Sequence, residues 1–358
     1  MTSLVGVSAV LPRHRYPQEE LTDKFAELVL TGQGRSHALV RRLHNSSRVG
    51  TRHLALPIER YAELDGFTDA NDAFLGAATD LGATAVVQAL EEAGLTPADV
   101  DFIVSTTVTG VAVPSLEARI AARIGLRPDV KRIPMLGLGC LAGAAGIARV
   151  HDLLRGAPDA VAVLVSVELC SLTVQRGDES TANMVASGLF GDGAAAVVAV
   201  GAQHPSATSG TATNVPRVVD SVSHLYPNTD RAMGWDVGSQ GFKIVLGAEV
   251  PDLVVEYLAD DVAALLDRHD LTMSDISRWI SHPGGPKVIE AIEKVLGLSD
   301  DDLAMTWNSL NSIGNLSSAS VLHVLRDTLD QRPAQRGDWG LLMAMGPGFA
   351  AELVLLRW

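Results

Sequence analysis

Three side chains of the kinds that serve acyl transfer, Cys140, His282 and Asn315, each stand where an apolar or turn-rich segment gives way to a helix. Cys140 lies in Pro134-Met-Leu-Gly-Leu-Gly-Cys-Leu-Ala-Gly-Ala-Ala-Gly-Ile-Ala148, which reads as a strand, a glycine-rich turn and a small-residue helix starting at the cysteine. Free N–H groups and the positive dipole end at a helix N-terminus favour thiolate over thiol, and thiolate is the nucleophile. His282 ends the run Trp279-Ile280-Ser281 and precedes Pro283-Gly284-Gly285-Pro286 and a helix expected over 287–296. That sets an imidazole at a strand's C-terminal edge, where the sites of α/β folds gather. Asn315 sits in Ser312-Ile-Gly-Asn-Leu-Ser-Ser-Ala-Ser320, ahead of a helix expected over 321–329. Each residue alone also has a plainer reading: a buried small hydrophobe, a turn cap, an N-cap. Their conjunction at strand or loop to helix junctions argues for a thiol nucleophile flanked by imidazole and carboxamide donors.

The elements that must position them alternate. Short β-rich runs at Phe102-Ile103-Val104, 161–167 and 194–200 are separated by helical stretches, one of them expected over 74–93, as in an α/β architecture with buried strands. An internal echo organises the chain: Leu95-Thr96-x-x-Asp99-Val100 and the strand after it recur as Leu271-Thr272-x-x-Asp275-Ile276 and its strand, 176 residues later. The same offset carries Cys140 to the neighbour of Asn315. The strand after Gly191-Asp192-Gly193 is echoed by the strand after Gly346-Pro347-Gly348. Two related halves follow, 1–215 with Cys140 and 216–358 with His282 and Asn315, joined through the Pro/Gly/Ser/Thr-rich stretch 201–216.

Composition narrows the chemistry. Of 358 residues, 47% are apolar and 20% charged, which excludes a disordered chain and implies a large buried core. The net charge of −14 opposes binding to nucleic acid or to anionic membranes, so an anionic ligand needs a local basic patch. Two cysteines, Cys140 and Cys170, without a Cys/His cluster support neither a disulfide framework nor a structural zinc site. The apolar start at Leu4 lacks a preceding basic stretch and runs into Pro12-Arg13-His14-Arg15, and no apolar run approaches the ~20 residues of a membrane span. A cytoplasmic location without a membrane span is expected.

Four motifs together carry a resemblance: Gly139-Cys140-x-Ala142-Gly143, Leu189-Phe190-Gly191-Asp192-Gly193-Ala194-Ala195, Trp279-Ile280-x-His282-Pro283-Gly284-Gly285-Pro286 and Gly314-Asn315-x-Ser317-Ser318-Ala319. In order and spacing they resemble the type III polyketide synthases, the chalcone synthase-like enzymes, over the chain from about residue 4 onward. The resemblance implies a thiolase fold, with duplicated βαβ halves in a five-layered α/β/α/β/α arrangement, and a homodimer. It implies that Cys140 holds an acyl chain taken from an acyl-CoA starter, its thiolate favoured by a helix N-terminus and protonated His282. His282 and Asn315 then stabilise the enolate left when malonyl-CoA loses carbon dioxide. CoA thioesters are the substrates, and no metal or redox cofactor is implied.

By the same resemblance Phe190 is a gatekeeper at the cavity neck, Cys170, Thr173 and Ile244 lie on the wall, and Gly346, Pro347 and Gly348 form part of the floor. Arg42 and Gly284 are implied CoA contacts, with Arg48, Arg52 and Lys287 as weaker ones. Val113 is an implied dimer contact reaching the partner's cavity, and Val113-Pro114 a candidate cis peptide. Two departures stand out: the family's Gly-Phe-Gly-Pro-Gly loop reads Ala344-Met345-Gly346-Pro347-Gly348, and Leu39 and Ser46 stand near where plant members hold CoA with lysines. Small or aliphatic Cys170, Ile244 and Val113 suggest a cavity for a flexible chain, hence a long-chain acyl starter and an alkylpyrone or alkylresorcinol product of the actinobacterial type. Three other readings share parts of this pattern. A ketosynthase III of fatty-acid synthesis stops after one condensation and needs a carrier protein, a cysteine hydrolase has no reason to decarboxylate malonyl-CoA, and a non-catalytic acyl-binding protein would be indifferent to Cys140→Ala.

Overall fold

The computed structural model describes residues 1–30, 35–208 and 215–358. Its strands are β1 (Thr2–Val10), β2 (His14–Pro17), β3 (Thr51–Leu54), β4 (Phe102–Thr106), β5 (Lys131–Met135), β6 (Val161–Leu169), β7 (Asp192–Val200), β8 (Arg217–Leu225), β9 (Met233–Gly238), β10 (Gly241–Leu246), β11 (Ile276–Ser281), β12 (Trp339–Gly346) and β13 (Ala350–Arg357). Nine of them form one sheet in the order β11-β12-β13-β8-β1-β7-β6-β4-β5. Outward from the centre, β1, β7, β6 and β4 repeat the senses of β8, β13, β12 and β11: antiparallel, antiparallel, then parallel. This is the duplication legible in the sequence. The half-sheets are also joined edge to edge, because β1 and β8 pair at Thr2–Val218 and Ser3–Arg217. Residues 209–214 of the expected connection lie outside the described residues.

The echoed Leu-Thr-x-x-Asp motif has a simple physical role. Thr96 and Asp99 form a capping box, and Thr272 and Asp275 form its counterpart, with backbone N–H to carboxylate distances of 2.8 and 2.7 Å. Each box ends a helix-to-strand connection at the same point of its half, starting β4 or β11 in register.

Alternation along the strands sorts the core into layers. Ala162 and Leu164 of β6, with Leu342 and Ala344 of β12, face a middle layer made by the helices Ala142–Gly156 and Ser320–Gln331. Val163, Val165 and Val167 face the outer helix Gly66–Ala93, while Leu341, Met343 and Leu353 face the outer helices Val250–Asp267 and Pro286–Leu296. Helix, sheet, helix, sheet, helix is the thiolase arrangement. The helix Gly66–Ala93 starts well before residue 74 and has the length and apolar content of a membrane-crossing helix, contrary to the expectation that no segment approaches this. Its Phe74, Ala78, Val86 and Leu90 are buried against the sheet, as befits a core helix.

The middle layer packs where glycines let backbones touch. A Cβ added at Gly143 would lie 2.3 Å from the carbonyl oxygen of Ser318, and one at Gly193 would lie 2.6 Å from the Leu316 side chain. The first contact is with backbone, which cannot rotate away. Gly143→Val is expected to cost about 1–3 kcal/mol through overpacking, read as a lowered urea midpoint with unchanged slope.

Candidate active site

Cys140 sits in a 3-10 turn, Gly139–Leu141, one turn ahead of the helix Ala142–Gly156 and not at its first residue as expected. Gly139 makes the turn possible: its φ is +53°, and an added Cβ would fall 2.6 Å from the Pro347 ring. Across from it, an added Cβ at Gly346 would lie 2.8 Å from the Leu141 N. Met343, three residues earlier on β12, accepts the His282 N–H at 2.9 Å. One strand therefore backs the thiol and anchors the imidazole.

Asn315 is fixed by the other half. Its N–H donates to the Leu189 carbonyl at 2.9 Å and its carbonyl accepts from the Gly191 N–H at 2.9 Å, so Phe190 and Asn315 form an isolated parallel bridge. The Ser317 N–H donates to Asn315 Oδ1 at 2.8 Å. That identifies the oxygen and makes Nδ2 the donor: one N–H gives a long hydrogen bond to the Gly284 carbonyl at 3.5 Å, and the other is left for a ligand.

Cys140, His282 and Asn315 line one cavity of about 480 Å³ with Phe190, Cys170, Thr173, Ile244, Gly284 and Pro347. Ile244 is paired with Trp235 across the β9–β10 hairpin, and both line the cavity. Gly346 and Gly348 act through backbone behind the wall, and Met345 supplies the side chain that the sequence changes. Arg42 and Lys287 are exposed and outside the cavity lining. Arg48 is engaged with Glu290 at 2.8 Å and stacks over Trp307. Arg52 is buried in the cavity lining, its guanidinium hydrogen-bonded to the Phe190 carbonyl and to Gln18. Val113 is 94% exposed, away from this chain's own cavity, and Val113-Pro114 is cis.

Burial governs the charges. It pushes the Cys140 thiol up to about 12, with the negative charge of Glu168 adding to the effect and a Ser317 hydroxyl 3.7 Å from Sγ opposing it. Burial also draws the His282 imidazole down to about 3. Desolvation of each group taken singly thus opposes the thiolate and the protonated His282 that the resemblance implies. Among the described residues neither ring nitrogen of His282 has a hydrogen-bond partner, an uncommon state for a buried imidazole. A lone charge on either group is disfavoured. A proton passed from Sγ to the imidazole creates both charges together, and each then offsets the other.

Several cavity residues escaped sequence reasoning. Leu21, Phe25 and Leu28 line the cavity from the helix Gln18–Val29, and their spacing was a readable amphipathic signal. Ser317 was legible only as part of the Gly314-Asn315 motif, and Glu168, outside the cavity lining, gave no signal. Glu168 is fully buried and accepts hydrogen bonds from the Val108 N–H and from the Thr109 and Ser318 hydroxyls.

A thiol, an imidazole and an oriented carboxamide around one apolar chamber define a thiolase-fold acyltransferase. The chain belongs to the chalcone and stilbene synthase family, whose N-terminal domain matches residues 1–204 and whose C-terminal domain matches residues 217–358. It is a type III polyketide synthase; such enzymes take CoA thioesters as substrates and need no further cofactor. A 1,3,6,8-tetrahydroxynaphthalene synthase of Streptomyces peucetius subsp. caesius is 53% identical over 100% of this chain and 93% of its own length. A putative chalcone synthase of Bacillus subtilis is 33% identical over 100% of this chain and 99% of its own. The crystal structure of the 1,3,6,8-tetrahydroxynaphthalene synthase of Streptomyces coelicolor, a bacterial type III polyketide synthase, superposes with a TM-score of 0.91 at 32% identity, covering 99% of both chains.

His282→Ala removes the proton acceptor while leaving the thiol in its desolvated turn. Iodoacetamide should alkylate Cys140 in this variant at least about tenfold more slowly than in the wild type at pH 7, and the variant's rate should climb with pH up to 10. Equal rates at pH 7 would show that the imidazole does not take the proton.

Proposed function

We propose that Cys140 is the nucleophile, and that His282 and Asn315 are donors to the enolate of an iterative decarboxylative condensation. The carrying observation is the buried imidazole, unpartnered among the described residues, in the same chamber as a carboxamide whose Nδ2 is oriented as a donor with one N–H to spare. Cys140 Sγ, its proton taken by His282, attacks the starter thioester carbonyl, and the CoA thiolate leaves with that proton. Malonyl-CoA then enters. As its carbon–carboxylate bond breaks, the electron pair moves onto the thioester oxygen, where neutral His282 and Asn315 Nδ2 donate. Each such donor is worth about 3 kcal/mol of barrier. The enolate carbon attacks the Cys140 thioester and expels the thiolate, lengthening the chain by two carbons.

Malonyl-CoA serves as both starter and extender in this reading, and the product is a polyhydroxylated naphthalene. Full-length identity of 53% to a tetrahydroxynaphthalene synthase supports it. The second reading is a long-chain acyl-CoA starter giving an alkylpyrone or alkylresorcinol. It is favoured by the apolar wall of Leu21, Phe25 and Leu28, set beside a chamber of about 480 Å³. Phe190, half-buried at the bridge, is the gate between CoA and chamber in either case. Arg42, Lys287 and Gly284 are proposed contacts for CoA. A homodimer with Val113 at its interface, a division at residues 215/216 and a cytoplasmic location complete the proposal, the dimer being supported by the 94% exposure of that valine.

Purified protein given malonyl-CoA alone should release carbon dioxide and yield an aromatic ten-carbon product by mass spectrometry. Product only when lauroyl- to stearoyl-CoA is added transfers the assignment to the second reading. No product with any CoA thioester overturns both.

A further inference from the structure

The cavity lining contains a cation that acyl transfer does not call for. Arg52 on β3 is 5% exposed and, among the described residues, forms no ion pair. Burial draws its guanidinium down to about 10, still charged at neutral pH, with Asp192 supporting the charge without hydrogen-bonding to it. An apolar side chain of the same length would spare the desolvation of a buried charge, so stability alone gives weak reason for an arginine here.

Its contacts are specific. Nη1 donates to the Phe190 carbonyl at 2.7 Å and Nε donates to Gln18 Oε1 at 3.0 Å. Gln18 Nε2 in turn donates to the Gly188 carbonyl at 2.6 Å. Together they hold two carbonyls at the C-terminal end of the helix Thr181–Leu189, where free acceptors and the negative dipole end suit a cation. The arginine stem touches the opposite segment as well. A Cβ at Gly314 would lie 3.2 Å from Arg52 Cγ and Cδ, and one at Gly191 would lie 3.6 Å from Cγ. Gly314 precedes Asn315, so one side chain hydrogen-bonds to one partner of the bridge, Phe190, and packs beside the glycine next to the other.

We infer that Arg52 is a positioning residue for decarboxylation: it keeps the Phe190–Asn315 bridge in register and so sets the direction of Asn315 Nδ2. The inference rests on the role of Asn315 given above. It separates the two stages of the reaction, because Cys140 is backed by β12 and meets the bridge segment only through the Ser317 hydroxyl, a long 3.7 Å from Sγ. Loading is independent of Arg52, whereas enolate stabilisation depends on it.

The test measures Cys140 acylation by intact-protein mass spectrometry, malonyl-CoA decarboxylation and thermal unfolding for Arg52→Met and Arg52→Lys. In Arg52→Met, kcat for decarboxylation should fall at least about tenfold, KM should move less than about threefold, and acylation should stay within about threefold of wild type. Arg52→Lys, which keeps one donor and the charge, should recover part of the lost kcat. Acylation and decarboxylation falling in one proportion with the folded fraction would show an arginine that only stabilises, and unchanged kcat would overturn the inference outright. Should Arg52→Met not fold, Gln18→Met decides: it frees the guanidinium from its second anchor, is expected to lower the same kcat about threefold or more, and overturns the inference if it does not. A wild type that releases no carbon dioxide from malonyl-CoA overturns the decarboxylative reading before any variant is made, and the inference with it.

Discussion

Two backbone hydrogen bonds, from Asn315 to Leu189 and from Gly191 to Asn315, are the constraint on which the site depends. They tie the end of a helix in the first half to the turn that opens a helix in the second. Such a crossing requires bare backbone on both sides. An added Cβ at Gly314 would lie 2.7 Å from the Leu189 carbonyl, and one at Gly191 would lie 2.5 Å from that of Ile313. The glycines around Phe190 and Asn315 are thus explained by contact distance, and the reactive groups inherit their separation from it.

Desolvation makes the chamber chemically quiet at rest. A thiol near 12 and an imidazole near 3 carry no net charge, and Glu168 beneath them is itself pushed toward its neutral form by burial. Hydrogen bonds to the Thr109 and Ser318 hydroxyls moderate that shift without reversing it. The unpartnered ring of His282 is then the one buried titratable side chain of the catalytic trio with all its hydrogen-bonding capacity unused. A substrate oxygen supplies what the protein withholds.

Much of this was legible in the chain. The capping boxes at Thr96 and Thr272 encode the duplication directly, because a box needs only four consecutive residues of the right types. Cys140, His282 and Asn315 were legible because each adjoins a glycine- or proline-marked junction. Charge state was not, since it depends on how much water the completed fold removes from each group. The edge pairing of β1 with β8 was also hidden: two residue pairs 216 or 214 positions apart leave no local pattern. Arg52 read as a surface cation for the same reason, as nothing in Thr51-Arg52-His53-Leu54 distinguishes a buried guanidinium from a solvated one.

The repeat of β1-β7-β6-β4 by β8-β13-β12-β11 makes the thiol corner and the carboxamide corner two uses of one architectural position. They face each other across the middle layer, so an insertion at either would shift one reactive group against the other. Chamber walls are under no such bond. Leu21, Ile58 and Ile244 come from elements outside that repeated frame, and their replacement reshapes the space without moving the chemistry. Diversification of products in a lineage with this architecture is thereby channelled into side-chain exchange on the periphery, while the length of the two corners stays frozen.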